Sequence, residues 1–401
     1  MALKIGNEKT IAVLFGGRSS EHEISLRSAV FILKNIPLKY KIIPVGINKN
    51  GSYRSLSGTF LSTDFSEITP EDLAIIVKGS VPSAFIGRKN TKSILLPYLE
   101  DEIKKDNPEF FYEINEQKEN IRILNLDASC FFPVLHGQNG EDGRLQGLLE
   151  LANLAYVGCD IRSSVIGIDK DIQKRLAKHA GVPIAKYELV EIEQFENKHA
   201  ETILRIEANI GYPCFIKPNS LGSAVGTGRA KNKSELETLL KEALAFDQKA
   251  LVEEPMSGTE VECAFLGDSC NPRITIAGEI ATSDFYSYEE KYANTSKAEL
   301  FIPARLSSER MQELKNFAKT VAVATGISGL CRIDFWNCKK TNTFIFNEIN
   351  TIPGLTSISM FPKLWEYEGV NGELWIEEVI EAAYMRKQRT VKSQYGIKAS
   401  L

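Results

Sequence analysis

The run "TIAVLFGG" (residues 10–17) limits the fold more than any other stretch of this chain. It is apolar, rich in β-formers and closed by Gly16 and Gly17, so it reads as a buried first strand. The next stretch, "SSEHEISLRSAVFILKNI", carries a helix-start signature, Ser20 with Glu23 three residues later. Strand, glycine turn and helix N-terminus make an anion-friendly start. Strands and helices then alternate to about residue 255, the pattern of an α/β chain. The first turn lacks the full GxGxxG spacing, so a nicotinamide-dependent dehydrogenase rests on that strand alone.

A chain of 401 residues is too long for one ordinary core, and two or three domains are expected. Residues 51–127, with "EDEIKKDNPEFFYEINEQKEN" in the middle, are polar and charged and read as a surface extension of the first domain. "CRIDFW" and "TFIFNEIN" read as two paired strands, "GELWIEEVIEAAYMRKQ" as a closing helix, and the last residues as a polar, frayed tail. A formal net charge of −4 argues against a nucleic-acid or anionic-membrane partner. No apolar run approaches the roughly 18 residues of a membrane span, and the N-terminus shows no secretory h-region, so a cytoplasmic protein is expected. The seven cysteines include no CxxC pair and read as reduced, buried small hydrophobes. Four histidines without Cys/His clustering leave no zinc site.

Four stretches carry chemistry. In "FNEINTIPG" strand alternation turns Glu348 and Asn350 to one face, with Asp334 on the preceding strand. Oxygen donors of this kind suit Mg²⁺; the alternative is a solvated polar face, which the apolar Phe344, Ile345, Phe346 and Ile349 disfavour. In "FIKPNSLGSAVG" Lys217 ends a strand at Pro218, and Gly222, Ser223, Ala224 and Gly226 form a hairpin able to close over a triphosphate. A plain turn is the competing reading. In "ALVEEPMSGTEVE" the acidic Glu253, Glu254 and Glu260 either contact a nucleoside or are simply solvated. In "HGQNGEDGRLQG" His136 follows a strand end, where ligand loops gather, and either donates to a substrate or is structural, while Glu141 and Asp142 pin the loop.

Taken together and in order, "LFGGRSSEHEISL", "HGQNGEDGRLQGLLELANLAYVG", "IDK", "FIKPNSLGSAVG", "VEEPMSGTEVE", "YSYEEKY", "CRIDF" and "NEINTIPGLTSISMFP" resemble the D-alanine–D-alanine ligases of the ATP-grasp superfamily. Only the stretch from about 51 to 127 is not covered. The resemblance implies an α/β (α+β) fold of three domains: a Rossmann-like N-terminal domain (1–158, with 51–127 variable), a central lid domain (159–252) and a C-terminal catalytic domain (253–388). A polar tail (389–401) follows, and ATP lies between the central and C-terminal sheets. By position Lys170, Lys217 and Lys291 bind ATP phosphates under a lid formed by Ser223 and Ala224. Glu253, Glu254 and Met256 line the adenine site, partly through backbone, and Glu260 holds the ribose. Asp334, Glu348 and Asn350 match the Mg²⁺ ligands, with two ions expected and Mn²⁺ as a substitute.

The implied reaction converts one D-alanine carboxylate to an acyl phosphate, which the amine of a second D-alanine attacks, in the supply of peptidoglycan precursor. Glu21 pairs with the first substrate's ammonium and His136 orients it. Ser223 and Tyr292 link the lid to Glu21. Arg332 and the Gly354 N–H stabilise the tetrahedral intermediate, and Ser359 holds the second carboxylate. The resemblance also implies small-molecule substrates only and a homodimer. Ala224 stands where a second serine is common, and Trp336 replaces a smaller apolar residue. Met360 stands where the alanine enzymes often carry leucine and the D-lactate and D-serine relatives can carry arginine, and Tyr292 matches the alanine-type loop; both favour D-alanine as acceptor over D-serine or D-lactate, the nearest alternatives. A non-catalytic ATP-binding module is a further alternative, and would need losses at the lysine or metal positions.

Overall fold

The computed structural model describes residues 9–49, 53–55, 65, 67–78, 83–86, 109–113, 120–125, 128–281 and 299–395. Two compact units emerge, Met1–Ile161 with Ile352–Leu401, and Arg162–Thr351.

The first unit is built on eight strands: β1 (Thr10–Gly16), β2 (Lys41–Ile47), β3 (Tyr53–Ser55), β4 (Ser83–Ile86), β5 (Glu109–Glu113), β6 (Asn120–Asn125), β7 (Cys130–Val134) and β8 (Ala155–Tyr156). Their order is β5-β6-β4-β3-β2-β1-β7-β8. Every residue of β1 is buried, which is why its sequence shows no polar alternation. It pairs in parallel with β2 on one side and β7 on the other, so the strand order switches direction at its C-terminal end, the usual place for a ligand crevice. Gly16 sits there at φ 90°, and a Cβ on it would lie 2.3 Å from the Ile47 carbonyl. The described parts of 51–127 contribute β3 to β6 to this sheet.

Two expectations change in this unit. The helix after β1 runs His22–Asn35 with Glu21, not Ser20, as its N-cap, and no side chain caps it. Ser19 takes over the turn instead: its Oγ accepts the Glu21 N–H at 3.2 Å and donates to the His136 carbonyl at 2.7 Å. Residues 352–388, which sequence placed in a C-terminal domain, pack within the N-terminal unit. Several long-range contacts hold them there: fully buried Trp375 stacks on Phe31 at 6.2 Å, Glu381 accepts from Lys9 and Tyr40, and Arg386 donates to the Tyr156 and Gly158 carbonyls.

The second unit carries two antiparallel sheets. The first comprises β9 (Tyr187–Glu191), β10 (Cys214–Pro218), β11 (Gly228–Ala230) and β12 (Lys249–Glu253), in the order β11-β10-β12-β9. Ile203, Ile206, Leu236 and Leu240, from the helices His199–Asn209 and Lys233–Phe246, cover its inner face around Cys214, Ile216 and Val252. The second sheet comprises β13 (Gly258–Asp268), β14 (Asn271–Ala281), β15 (Glu299–Phe301), β16 (Gly329–Cys338) and β17 (Thr343–Asn350), in the order β15-β14-β13-β16-β17. The paired strands expected from "CRIDFW" and "TFIFNEIN" are β16 and β17.

The helix Lys170–His179 packs on β17. Asp169 caps it by accepting the Ile172 N–H, and Gly181, at φ 84°, ends it. The segment that follows ties to β17 through the Phe346 N–H and the Pro183 carbonyl at 2.8 Å. All seven cysteines are free thiols, and six are buried. Among the described residues no helix is long and apolar enough to cross a membrane.

Candidate active site

The hairpin between β10 and β11 is the first element of the site. Ser223 and Ala224 hold left-handed backbone at φ 54° and 57°, and Gly226 follows at φ 68°. For non-glycine residues this costs about 1–2 kcal/mol each. Such strain persists where the surrounding structure imposes it, and it clusters at ligand clamps. Here it shapes a glycine- and serine-rich turn in which the Val225 and Thr227 N–H groups donate to the Gly222 and Ala224 carbonyls, each at 3.3 Å.

Three lysines lie beneath. Lys170, the first residue of its helix, donates to the Leu221 carbonyl at 2.7 Å and stands 3.3 Å from Glu348. Lys217, near the end of β10, is 2.9 Å from Glu253 and 3.4 Å from the Asn347 amide oxygen. Lys174 is fully buried and 3.1 Å from the other oxygen of Glu253. Burial pushes the Lys174 ammonium down to about 8, with Glu253 opposing. Burial also opposes ionisation of Glu253, yet Lys174 and Lys217 together hold that carboxyl below its usual range. Sequence reading missed Lys174, although it sits four residues after Lys170 and so on the same helical face.

The acidic face lies on β13, β16 and β17. Asp334 is paired across the sheet with Glu348 on one side and Glu262 on the other. The Asn350 amide donates to Asp334 at 2.8 Å, so the three expected ligand residues are neighbours. A bulge opposite Asp334 and Phe335 inserts Asn347 into β17, breaking strict alternation, so that Asn347 and Glu348 both face the cavity. Arg332 spans this face, 3.1 Å from Glu262 and bidentate to Asp334. The carboxylates of Glu260, Glu262 and Asp334 lie within 4.8 Å of one another. Glu262 was not singled out from sequence, although "EVE" on a strand puts it on the same face as Glu260. This crowding of hard oxygen donors around one guanidinium fits a divalent cation.

The hairpin, Lys170 and Lys217, and the Glu260 and Glu348 part of the acidic face enclose a cavity of about 440 Å³, the size of a cofactor pocket, while Asp334 and Asn350 sit beside Glu348 outside its lining. Lys170, Lys217, Ser223, Ala224, Glu260 and Glu348 all line it, with Met256 and Trp336 on its wall. Trp336, which stands where a smaller apolar residue is common, packs beside Met256 over Ile345. Glu253 and Glu254 line the cavity as well. The Glu253 carboxylate is taken by the two lysines, and the Glu254 carboxylate accepts the Lys186 N–H at 2.9 Å. Lys291 and Tyr292 lie outside the described residues.

The remaining candidates belong to the first unit. Glu21 is buried, and its carboxylate rests where a Cβ on Gly137 would be 2.5 Å away. Both ring nitrogens of His136 are engaged within the fold. Nδ1 lies 2.9 Å from the Ile352 carbonyl and Nε2 lies 2.8 Å from Ser28 Oγ. A carbonyl only accepts, so Nδ1 carries the proton and Nε2 accepts from Ser28. Glu141 ties the same loops by accepting the N–H groups of Gly137 and Ile352, each at 2.7 Å. Gly354 fits tightly, since a Cβ there would be 2.8 Å from Ser359 Oγ. Ser359 itself meets Thr356 Oγ1 at 2.7 Å, and Met360 is buried in the core.

Two antiparallel sheets with lysines and carboxylates around a cavity under a glycine-rich flap define the ATP-grasp class of ATP-dependent carboxylate–amine ligases. Residues 10–159 match the family described as "D-ala D-ala ligase N-terminus" and residues 176–381 match "D-ala D-ala ligase C-terminus". The chain belongs to the D-alanine–D-alanine ligase family. A D-alanine–D-alanine ligase of Caldicellulosiruptor bescii is 39% identical over 387 residues, 96% of this chain and 97% of that protein. One from Acetivibrio thermocellus is 38% identical over 395 residues, 97% of this chain and 99% of that protein. Among solved structures, a D-Ala:D-Ser ligase from Enterococcus faecalis is similar with a TM-score of 0.74 and 32% identity, covering 94% of this chain and 99% of its own. The D-alanine–D-alanine ligase of Coxiella burnetii gives 0.73 and 28%, covering 96% and 98%.

Proposed function

We propose that this chain joins two D-alanine molecules, with ATP converted to ADP and phosphate, through an acyl phosphate. The observation that carries this reading is the cavity in which Lys170 and Lys217 lie beneath the strained Ser223–Ala224 hairpin and beside Glu348.

In the first step the carboxylate oxygen of one D-alanine bonds to the γ-phosphorus and ADP leaves. This chemistry needs positioning and charge neutralisation rather than a protein nucleophile. Lys170 and Lys217 supply positive charge, and the hairpin amides donate to phosphate oxygens while excluding water from the acyl phosphate. In the second step the amine of the second D-alanine bonds to the acyl carbon, phosphate departs and the amine loses a proton. Asp334, Glu348 and Asn350, with Glu262 behind Asp334, hold Mg²⁺, as two ions, or Mn²⁺ in substitution. When bound, the metal neutralises phosphate charge. Arg332 keeps Asp334 and Glu262 in place and is assigned to the charge of the tetrahedral intermediate, as is the Gly354 N–H.

Glu260 is assigned to the ribose, and Glu253, Glu254 and Met256 to the adenine wall. Glu21 is assigned to the substrate ammonium, Ser359 to a substrate carboxylate and Met360 to support of that region from the core. Lys291 and Tyr292 keep phosphate and lid-linking roles by their place in "YSYEEKY". His136, with both ring nitrogens engaged, acts by fixing the loop that carries Gly354. Three domains, one per sheet, a homodimer and a cytoplasmic location for peptidoglycan precursor supply complete the proposal.

The test is phosphate release with ATP, Mg²⁺ and D-alanine, with the product identified by mass. The likeness to a D-Ala:D-Ser ligase supports a second reading in which D-serine is the acceptor. Offering D-alanine, D-serine and D-lactate in competition at neutral pH separates the two, and a predominant mixed product would replace the first reading.

A further inference from the structure

Lys174 is fully buried on the helix Lys170–His179, yet it lines no part of the cavity. It stands 3.1 Å from Glu253 Oε1, while Lys217 stands 2.9 Å from Glu253 Oε2. One buried carboxylate is thus shared by two ammonium groups, one behind the cavity wall and one in it. The set carries one net positive charge. An ammonium buried this completely is costly and is retained only where its charge has a partner or a task.

We propose that Lys174 is a positioning residue for nucleotide phosphates: it shares the charge of Glu253, so that Lys217 is not neutralised and keeps a positive charge for the ligand. This rests on the reading of the cavity as the ATP site. Without Lys174, Glu253 and Lys217 form a closed one-to-one pair. Lys217 is then drawn toward the wall, and the net charge facing the phosphates falls to zero. Removing the carboxylate as well returns the charge to Lys217. The charge count therefore predicts that a second substitution repairs the first.

The experiment is calorimetric titration of the full-length protein, with Mg²⁺, by ATP, ADP and adenosine. Wild type, Lys174→Met and the double variant Lys174→Met/Glu253→Gln are compared, with melting curves alongside. For Lys174→Met, ATP affinity is expected to fall about 10- to 100-fold, ADP affinity to fall less and adenosine affinity to stay within about twofold. The double variant is expected to recover ATP affinity to within about fivefold of wild type. It removes the Lys174 charge together with the carboxylate that Lys174 meets and leaves Lys217, which lines the cavity, as the one charge of the three, so it keeps the test decisive if the single variant does not fold.

Unchanged ATP affinity in Lys174→Met overturns the proposal. So does a parallel loss of ATP and adenosine, the signature of a merely structural role. A folded double variant that binds ATP as weakly as the single variant also overturns it. Failure of the wild type to bind ATP at all would be a different result: it would remove the nucleotide reading of the cavity, and this inference with it.

Discussion

Arg332 grips Asp334 with two parallel bonds, Nε to Oδ1 and Nη2 to Oδ2, each 2.7 Å long. Residues two apart on β16 share a face, so the pair forms within one strand and needs no loop to assemble it. Arg332 also reaches Glu262, so one guanidinium serves two carboxylates that are almost wholly buried. Burial disfavours its charge, but Asp334 and Glu262 outweigh that and keep it protonated. Arg332→Met leaves both carboxylates unpaired. The expected loss is about 3–5 kcal/mol of stability. Millimolar Mg²⁺ should restore more of the melting temperature in this variant than in wild type, which differential scanning calorimetry reads directly.

Glu348 faces the cavity with its side chain 22% exposed and is paired with Lys170, so it is not required for the core. Glu348→Ala is expected to reduce ADP release with D-alanine by about 10²- to 10³-fold. Circular dichroism and melting temperature should change little. Near-normal turnover would count against the metal assignment.

Gly226 closes the flap at φ 68°, and a Cβ there would lie 2.9 Å from the Phe246 ring and 3.0 Å from Pro218. Gly226→Ala is expected to cost about 1–2 kcal/mol. KM for ATP should rise more than KM for D-alanine, because the distortion falls on the hairpin. Steady-state kinetics with each substrate varied checks the split.

Glu279 accepts from Arg305 three times: from its N–H at 3.0 Å, Nε at 3.2 Å and Nη2 at 2.6 Å. The Arg305 side chain beside it holds the Glu279 carboxyl below the usual carboxylate range, against the opposing effect of burial. A carboxyl with a lowered folded pKa stabilises fully above its unfolded value and loses that contribution as pH falls through the folded value. Arg305 is 55% exposed, so water weakens the pair. Glu279→Gln is therefore expected to lose about 1–2 kcal/mol at pH 7, and the gap to wild type should begin to narrow below the ordinary carboxylate value of about 4 and close only below the lowered folded value. Urea denaturation at several pH values measures it.

Much of this architecture was legible locally. β1 declared itself by being apolar on both faces, and β16 and β17 by their apolar and aromatic runs. Lys217 at a strand end before a glycine-rich loop, and Glu348 with Asn350 on the next strand, are facts of spacing. These features depend on backbone periods of two or 3.6 residues, which a sequence displays directly.

What spacing could not decide was which charged group meets which. The commitment of Glu253 to Lys174 and Lys217 follows from β10 and β12 pairing beside the helix Lys170–His179. The exposure of Asn347 follows from a bulge that only the β16–β17 register creates. The engagement of His136 by Ser28 and Ile352 spans more than a hundred and more than two hundred residues. The grouping of 352–388 with the N-terminal unit likewise rests on long-range contacts, Trp375 with Phe31 and Glu381 with Lys9 and Tyr40 among them. In this protein the sequence alone determined the elements and the kinds of chemical group they carry. Tertiary structure decided which of those groups are spent on each other and which remain for a ligand, because a charge or hydrogen bond acts over a few ångströms of space regardless of separation along the chain.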